Sequence, residues 1–267
     1  MAHMSRIRIF AALIGAAALA GCEKNAVQDI TQPVAGGAFI RFQNYGVNVP
    51  GVNFYANVQK LTAISAATCT PPTDPKCTAA GIESTTGVVY GASANGGNYS
   101  MVAPGQYTLT GRIAAATDNG LAVSTMSTTL ADGKFYTYML SGIYNSATKQ
   151  SDGFIIEDAL PTTFDYTKAY IRVVNASPNS PAISLTTKLQ GSTTVVPIAT
   201  SIGYKSASPI VTIETGLTDL TFTFAGLPPL VVAGQNVTGG HVVTFTVRGD
   251  ALATGTNGLT MSASVNR

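Results

Sequence analysis

Apolar and polar residues alternate in short stretches along most of the chain from Ala38 onward. Alternate apolar positions such as Ile40 and Phe42, or Phe222 and Phe224, are typical of strands that bury one face. Glycine, proline, asparagine and aspartate interrupt these stretches at intervals of about 8 to 12 residues, a spacing that is common in sandwiches and barrels. No segment of this region has a convincing helical period. The pattern therefore predicts an all-β protein.

An internal repeat divides the β region into two copies. Residues 38–57 align without gaps on residues 169–188, with the identities Ala38/Ala169, Ile40/Ile171, Arg41/Arg172, Asn44/Asn175, Asn48/Asn179 and Pro50/Pro181. Later glycine turns and alternating strands follow in the same order in both copies. The repeat predicts two tandem immunoglobulin-like antiparallel β-sandwich domains, residues 38–160 and 161–267.

The equivalent Arg41 and Arg172 fall in the middle of predicted strands. A cation at such a position is expected to lie over the sheet and bond to carbonyls or a carboxylate. Ligand binding is the alternative role for this pair.

The first residues have the pattern of a secretory leader. Arg6 and Arg8 precede an apolar run over residues 9–18 that is too short to span a bilayer, which requires about 20 apolar residues. The segment Leu19-Ala20-Gly21-Cys22 resembles the lipobox of bacterial lipoproteins, which implies removal of residues 1–21 and acylation of Cys22, including palmitate. An ordinary cleavage site beside a chance cysteine is the alternative. Residues 22–37 are then a lipidated tether, and Glu23 favours the outer membrane by the same resemblance.

The remaining cysteines, Cys69 and Cys77, lie in the proline-rich segment CTPPTDPKC. An even pair in an exported protein favours a disulfide that restrains a mobile loop. A metal site is the alternative, although no histidine lies nearby in the sequence. We therefore predict a disulfide here.

The charge balance and the histidine content narrow the range of possible functions. Without Arg6 and Arg8, 13 basic residues balance 13 acidic residues. The basic residues are scattered singly, so nucleic acid is not the expected partner. After the leader the chain retains only His241, and neither a histidine-based nucleophile nor a zinc site can be assembled with any assurance. We predict no catalytic residue, no cofactor and no metal, with Asp152, Glu157, Asp158 and Asp165 as weak calcium candidates.

The segment from Tyr170 to Ile183, YIRVVNASPNSPAI, resembles a bacterial exported family that is catalogued as domain of unknown function 4397. Pro104-Gly105-Gln106-Tyr107 and Gly133-Lys134-Phe135-Tyr136-Thr137 carry later parts of the same pattern in the first copy. The first copy lacks the Ala-Ser-Pro turn, and the second lacks the tyrosine after Gly216. The resemblance implies tandem β domains in an exported protein and no particular activity.

The leading functional hypothesis is a lipid-anchored, non-catalytic envelope module that binds a protein or a glycan. Loops at one sandwich end, namely the Cys69–Cys77 segment and the loop at Asn95, are the expected contact region. Aromatic rings near turns could stack on sugars, so the speculative ligand-binding set is Tyr45, Tyr55, Tyr90, Asn95 and Tyr99. A structural spacer or assembly component of the envelope is the alternative, and a hydrolase is a minor one.

Overall fold

A computed structural model describes residues 36–62, 77–78, 81–82 and 87–266. Its first strands are β1 (Ala38–Asn44), β2 (Val52–Ala56), β3 (Gln59–Lys60), β4 (Cys77–Thr78), β5 (Gly81–Ile82), β6 (Ser100–Val102), β7 (Gly105–Ile113), β8 (Ala122–Leu130), β9 (Phe135–Asn145) and β10 (Gln150–Glu157). They form one sheet in the order β10-β9-β1-β6 and a second in the order β3-β2-β7-β8, while β4 and β5 pair by themselves.

The later strands repeat this arrangement. They are β11 (Lys168–Asn175), β12 (Ile183–Leu189), β13 (Val196–Ile202), β14 (Ser206–Ala207), β15 (Val211–Glu214), β16 (Gly216–Phe224), β17 (Leu227–Val237), β18 (Val242–Arg248) and β19 (Thr260–Val265). One sheet has the order β14-β11-β18-β19 with β15 also on β11, and the other has the order β13-β12-β16-β17. We call β1 to β10 the first half and β11 to β19 the second half.

One strand pair in each half is parallel. β1 lies parallel to β9 and β11 lies parallel to β18, whereas the other pairs in these sheets are antiparallel. A parallel pair requires a long crossover connection. In each half the chain makes that crossover by forming strands of the opposite sheet before it returns.

Each half has its own core between its two sheets. In the first, Phe42 stacks on Phe54 at 5.0 Å between ring centroids, and Tyr138 meets Phe54 edge-on at 5.9 Å. The second core contains Leu185, Phe222 and Phe245. These side chains come from alternate strand positions, as the sequence pattern predicts.

The outward faces of β1 and β11 are also buried. Successive strand residues point to opposite faces, so Arg41 and Gln43 face away from the core that holds Ile40 and Phe42. Both are nevertheless at most 1% exposed. A third apolar cluster, which contains Met139 and Phe154 of the first half and Val174 and Ala176 of the second, lies where the two halves meet.

The all-β sandwich class predicted from the sequence is confirmed. From Gly37 onward the described chain forms one compact unit. The boundary between residues 160 and 161 stays a prediction. The leader and most of the tether, with Cys22, lie outside the described residues, and within the described ones no helix is long and apolar enough to cross a membrane.

Candidate functional site

Arg41 and Arg172 occupy equivalent places on the two facing sheets. Arg41 Nε donates to Thr137 Oγ1 on the parallel neighbour β9 at 2.8 Å, and Arg172 Nε donates to Thr244 Oγ1 on β18 at 2.9 Å. Both arginines are at most 3% exposed. The same side-chain geometry is therefore present in both halves.

The guanidinium groups reach across to the opposite half. Arg41 Nη1 donates to the carbonyl of Val265 at 3.1 Å and Nη2 to Ser264 Oγ at 3.3 Å. Arg172 Nη1 donates to the carbonyl of Glu157 at 3.2 Å, and its Nη2 forms a buried ion pair with Asp158. The two arginines thus bond to carbonyls and a carboxylate, which agrees with the sequence prediction and ties the two halves together.

Asp158 and Asn266 are the equivalent acceptors of the two halves. Thr137 Oγ1 donates to Asp158 Oδ2 at 2.6 Å, and Thr244 Oγ1 donates to Asn266 Oδ1 at 2.7 Å. The buried cluster therefore contains two guanidinium groups but one carboxylate. In the described part of the chain Arg41 forms no ion pair, so this cluster carries excess positive charge on its Arg41 side.

Tyr99 bridges the two acceptors. Its hydroxyl donates to Asp158 Oδ2 at 2.6 Å and accepts from Asn266 Nδ2 at 3.0 Å, while the guanidinium of Arg41 lies 5.0 Å from its ring centroid. Burial, together with the nearby Asp158 carboxylate, raises the pKa of Tyr99 above its ordinary value. The phenol is therefore neutral and held in one orientation.

An open groove of about 490 Å³ begins at this tyrosine. Ser93, Gly96, Gly97, Asn98 and Tyr99 line it on one side, and Ala263, Ser264, Val265 and Asn266 line it on the other. A short 3-10 turn, Ala94–Gly97, shapes the first side, with Asn95 and Gly96 at positive φ. We call this feature the β19 groove.

The predicted loop residue Asn95 fixes that turn. Its Nδ2 donates to the carbonyl of Leu61 at 2.9 Å and to Ser100 Oγ at 3.2 Å. Asn98, which is exposed, donates from its Nδ2 to the carbonyl of Asn95 at 2.9 Å. Asn95 thus supports the groove, and Asn98 and Tyr99 present their side chains to it.

The structure does not bring the five predicted ligand-binding residues together. Tyr45 is buried and Tyr90 half-buried, and the guanidinium of Arg248 lies 5.7 Å and 4.6 Å from their ring centroids. Burial also raises the pKa of Tyr45. Tyr55 is elsewhere, with Arg112 over its ring at 4.5 Å. Of the predicted tyrosines, Tyr99 reaches the β19 groove.

The four calcium candidates have separate partners. Asp152 pairs with Lys205 at 2.6 Å, Glu157 with Lys134 at 2.8 Å, and Asp158 with Arg172. Asp165 accepts bonds from the hydroxyl and the amide of Thr167, which lower its pKa. Among the described residues no three histidine, cysteine or acidic side chains form a group that could hold a metal ion. The predicted disulfide involves Cys69, which lies outside the described residues.

A second polar groove, of about 480 Å³, lies on β7 and β8. Its lining includes Asn57, Gln106, Thr108 and Ser127. Amide and hydroxyl groups of this kind suit sugar hydroxyls, but this groove contains none of the predicted ligand-binding residues.

The fold defines this chain as an all-β sandwich protein. Residues 38–186 match the sequence profile of the family described as domain of unknown function (DUF4397), and this chain belongs to that family. The predicted family is thereby confirmed, while the second tandem copy stays a prediction.

Other comparisons add little. No curated protein matches the chain. Among solved structures, the Bacillus anthracis TIE protein is 11% identical with a TM-score of 0.22, over 80% of this chain and 34% of that one. A leucine-rich repeat protein from Bacteroides thetaiotaomicron VPI-5482 is 12% identical with a TM-score of 0.20, over 78% of this chain and 25% of that one. The chain spans about a third or less of each, and at these TM-scores neither likeness informs fold or function.

Proposed function

We propose that this protein is a lipid-anchored, non-catalytic component of the bacterial cell envelope that binds a protein or glycan ligand. The proposed location at the membrane rests on the Leu19-Ala20-Gly21-Cys22 segment, whose cysteine would carry the acyl chains. Glu23 favours the outer membrane. Two acyl chains hold a protein stably at a bilayer, whereas one holds it only marginally. Labelling with radioactive palmitate tests this part, and the label is expected in the native chain and absent from Cys22→Ser.

The β19 groove is the observation that carries the binding role. Its volume falls in the range of ligand sites, and its polar groups are held in place before any ligand arrives. Two hydrogen bonds fix the Tyr99 hydroxyl, and Asn95 ties the adjoining turn to Leu61 and Ser100. A preformed surface lowers the ordering entropy that binding would otherwise have to overcome.

The state of the carboxylates supports a non-catalytic role. A glycosidase uses two acidic side chains that face each other across the substrate. Asp152, Glu157 and Asp158 each form an ion pair with a lysine or arginine instead. Each of these pairs directs one carboxylate oxygen at a basic side chain of the protein.

A matched pair of bulky substitutions tests the binding site. The soluble chain of residues 23–267, which contains the whole compact unit, is applied to immobilised envelope glycans and to extracts of the parent cell. Asn98→Trp fills the β19 groove from an exposed position, and Ser127→Trp places the same bulk in the groove on β7 and β8.

We expect Asn98→Trp to abolish the binding signal and Ser127→Trp to preserve it, with both variants melting near the parent temperature. If Ser127→Trp abolishes the binding signal and Asn98→Trp does not, the binding site lies in the groove on β7 and β8 instead. Absence of any signal from the parent chain would refute the binding role.

The buried arginine cluster favours a second candidate, a rigid spacer of the envelope. Its bonds from Arg41 to Val265 and from Arg172 to Asp158 hold the two halves together. A spacer depends on that rigidity and not on the groove. In cells that lack the protein, a spacer predicts rescue by Asn98→Trp as complete as by the native chain, whereas a binding module predicts no rescue.

A further inference from the structure

Strand β19 has one paired edge and one edge, here called the open edge, that has no strand partner among the described residues. It pairs with β18, and the amide of Asn266 donates to the carbonyl of Val242 at 2.8 Å. Antiparallel bonding alternates along a strand, so Ser262 and Ser264 direct their backbone groups at β18. Met261, Ala263 and Val265 therefore direct theirs away from it. The bond from Arg41 Nη1 to the Val265 carbonyl confirms this phase independently.

The open edge lacks the usual protection against strand pairing. Edge strands are commonly blunted by charged side chains or proline. The equivalent strand β10 carries Asp152 and Glu157, and Gln150 Nε2 donates to the carbonyl of Ala122 on β8 at 3.0 Å. Edge strand β17 contains Pro228 and Pro229. The sequence of β19, TMSASV, has neither a charge nor a proline.

The groove beside this edge has an electropositive floor at Ser264 and Val265, which accept hydrogen bonds from Arg41. Tyr99, which also lines the groove, bonds through its hydroxyl to Asp158. The arginine is 1% exposed and has no carboxylate partner among the described residues. A buried charge is stabilised by an opposite charge nearby. The floor therefore favours a ligand that carries a carboxylate.

We propose that the open edge of β19 binds an extended polypeptide segment that adds a strand to the sheet and places an acidic side chain near Arg41. The proposal rests on the binding role proposed above and names its ligand class. The backbone groups of Ala263 and Met261 bond to the incoming strand, which is the general mode of β-augmentation. The carboxylate offsets the excess charge of the arginine cluster.

Short peptides of alternating threonine and valine are the probes. One peptide carries a central aspartate, the second has asparagine in its place, and the third is the aspartate peptide with backbone N-methyl groups on the edge that would face β19. Affinities for the chain of residues 23–267 are measured by isothermal titration, and amide NMR signals of Met261 and Ala263 report the place of binding.

Two substitutions at one position separate edge pairing from folding. Ala263→Pro removes an outward amide donor and leaves the β18 ladder intact, because proline is tolerated where the amide faces away from the sheet. Ala263→Val retains the donor. A third variant, Asn266→Asp, supplies a carboxylate at the position equivalent to Asp158.

We expect the aspartate peptide to bind and to shift the signals of Met261 and Ala263. Asparagine in the peptide lowers affinity about fivefold, because it removes the attraction between the peptide carboxylate and the excess positive charge of the arginine cluster. N-methylation or Ala263→Pro lowers it by about tenfold or more, whereas Ala263→Val, which keeps the amide donor, lowers it much less than Ala263→Pro does. In Asn266→Asp the preference for aspartate disappears.

Equal binding by Ala263→Pro and the parent chain would overturn strand addition. So would a failure of all peptides while glycans or extracts still give a signal that Asn98→Trp abolishes, and the proposed binding role would then stand. If peptides, glycans and extracts all fail, both proposals fail together.

Discussion

The two halves of the molecule share a polar framework and differ in the charge that it holds. Arg41 with Thr137 in the first half matches Arg172 with Thr244 in the second, with Nε to Oγ1 distances of 2.8 and 2.9 Å. The acceptor that follows is Asp158 in one half and Asn266 in the other. One carboxylate therefore serves a site that contains two arginines.

The difference shows how a repeated framework can hold two halves together and still leave them unequal. The carboxylate neutralises Arg172, whose partner strand β10 is charged and lies along β8. Arg41 faces the uncharged strand β19 and its groove. The half with asparagine in place of the acid is also the half that contains β19, the uncharged strand whose outer edge has no strand partner in the described chain. The following variants test this difference, from the largest expected effect to the smallest.

Asp158→Asn removes the only carboxylate of the described cluster. Breaking a buried ion pair at one partner destabilises a protein by about 3–5 kcal/mol because the other charge stays buried. Urea unfolding should show a loss of this size. The matched control is Glu157→Gln, which affects an exposed pair with Lys134 and should alter stability by about 0–1 kcal/mol. Equal effects of the two changes would contradict the account.

The two arginines should differ in their contribution to stability. Arg172→Met leaves Asp158 as a buried anion without its directly bonded cation and should destabilise by about 3–5 kcal/mol. Arg41→Met removes the excess cation and loses hydrogen bonds only, which predicts about 1–3 kcal/mol. Unfolding by urea measures both. A larger effect for Arg41→Met would contradict the assigned charge difference.

The buried phenol of Tyr138 should make the folded protein less stable in alkali. Burial raises its pKa from the ordinary 10.0 to about 12, and its hydroxyl donates to Ser124 Oγ at 2.9 Å. The unfolded chain then loses this proton first, so stability falls as pH rises from about 10 to about 12, by about 1–3 kcal/mol. Below that window the group contributes no pH dependence.

Tyr138→Phe tests that assignment. At neutral pH it should destabilise by about 1 kcal/mol because it removes the hydrogen bond to Ser124. Above a pH of about 10 the variant should lose less stability than the parent, and urea midpoints across this range show the difference. Parallel pH curves for the two proteins would refute the role of Tyr138.

The two halves also differ at Gln43, because Val174 occupies the equivalent position on β11. Its amide is fully buried, and neither its oxygen nor its nitrogen has a hydrogen-bond partner among the described residues. Gln43→Met should raise stability by about 1 kcal/mol, because an unsatisfied buried polar group is destabilising. Gln106→Met, at an exposed position, should alter it little. A loss in Gln43→Met would show that the amide has a partner such as a buried water.

A good part of the fold could be predicted from the sequence. The alternation at Ile40 and Phe42 predicted a one-sided core, and the repeat identified Arg41 and Arg172 as equivalent before their contacts were known. Both predictions rest on local periodicity or on direct similarity. The crossing of the arginines to the opposite half rests on neither. Arg41 and Val265 are 224 positions apart, and Arg172 bonds to Glu157 and Asp158, at the end of strand β10 of the other half.

The candidate site was predicted less well for the same reason. Tyr45 and Tyr90 have the sequence setting of exposed turn aromatics, but residues of the other half, Arg248 among them, cover them. Asp158 stood out only as one of four acids. Ser264 and Asn266 gave no sequence signal. The apolar run of β11 from Ala169 to Val174, which Arg172 interrupts, was a usable hint, since a strand buried on both faces must be covered twice.

Moving the carboxylate between the two halves tests the central claim most directly. Unfolding free energies are measured for Asp158→Asn, for Asn266→Asp and for the double variant that combines them. The account predicts that Asp158→Asn is strongly destabilised and that the double variant regains much of that loss, because one carboxylate again lies among the two arginines. If the double variant is as unstable as the sum of the two single changes, the halves do not share one charged site and the claim is wrong.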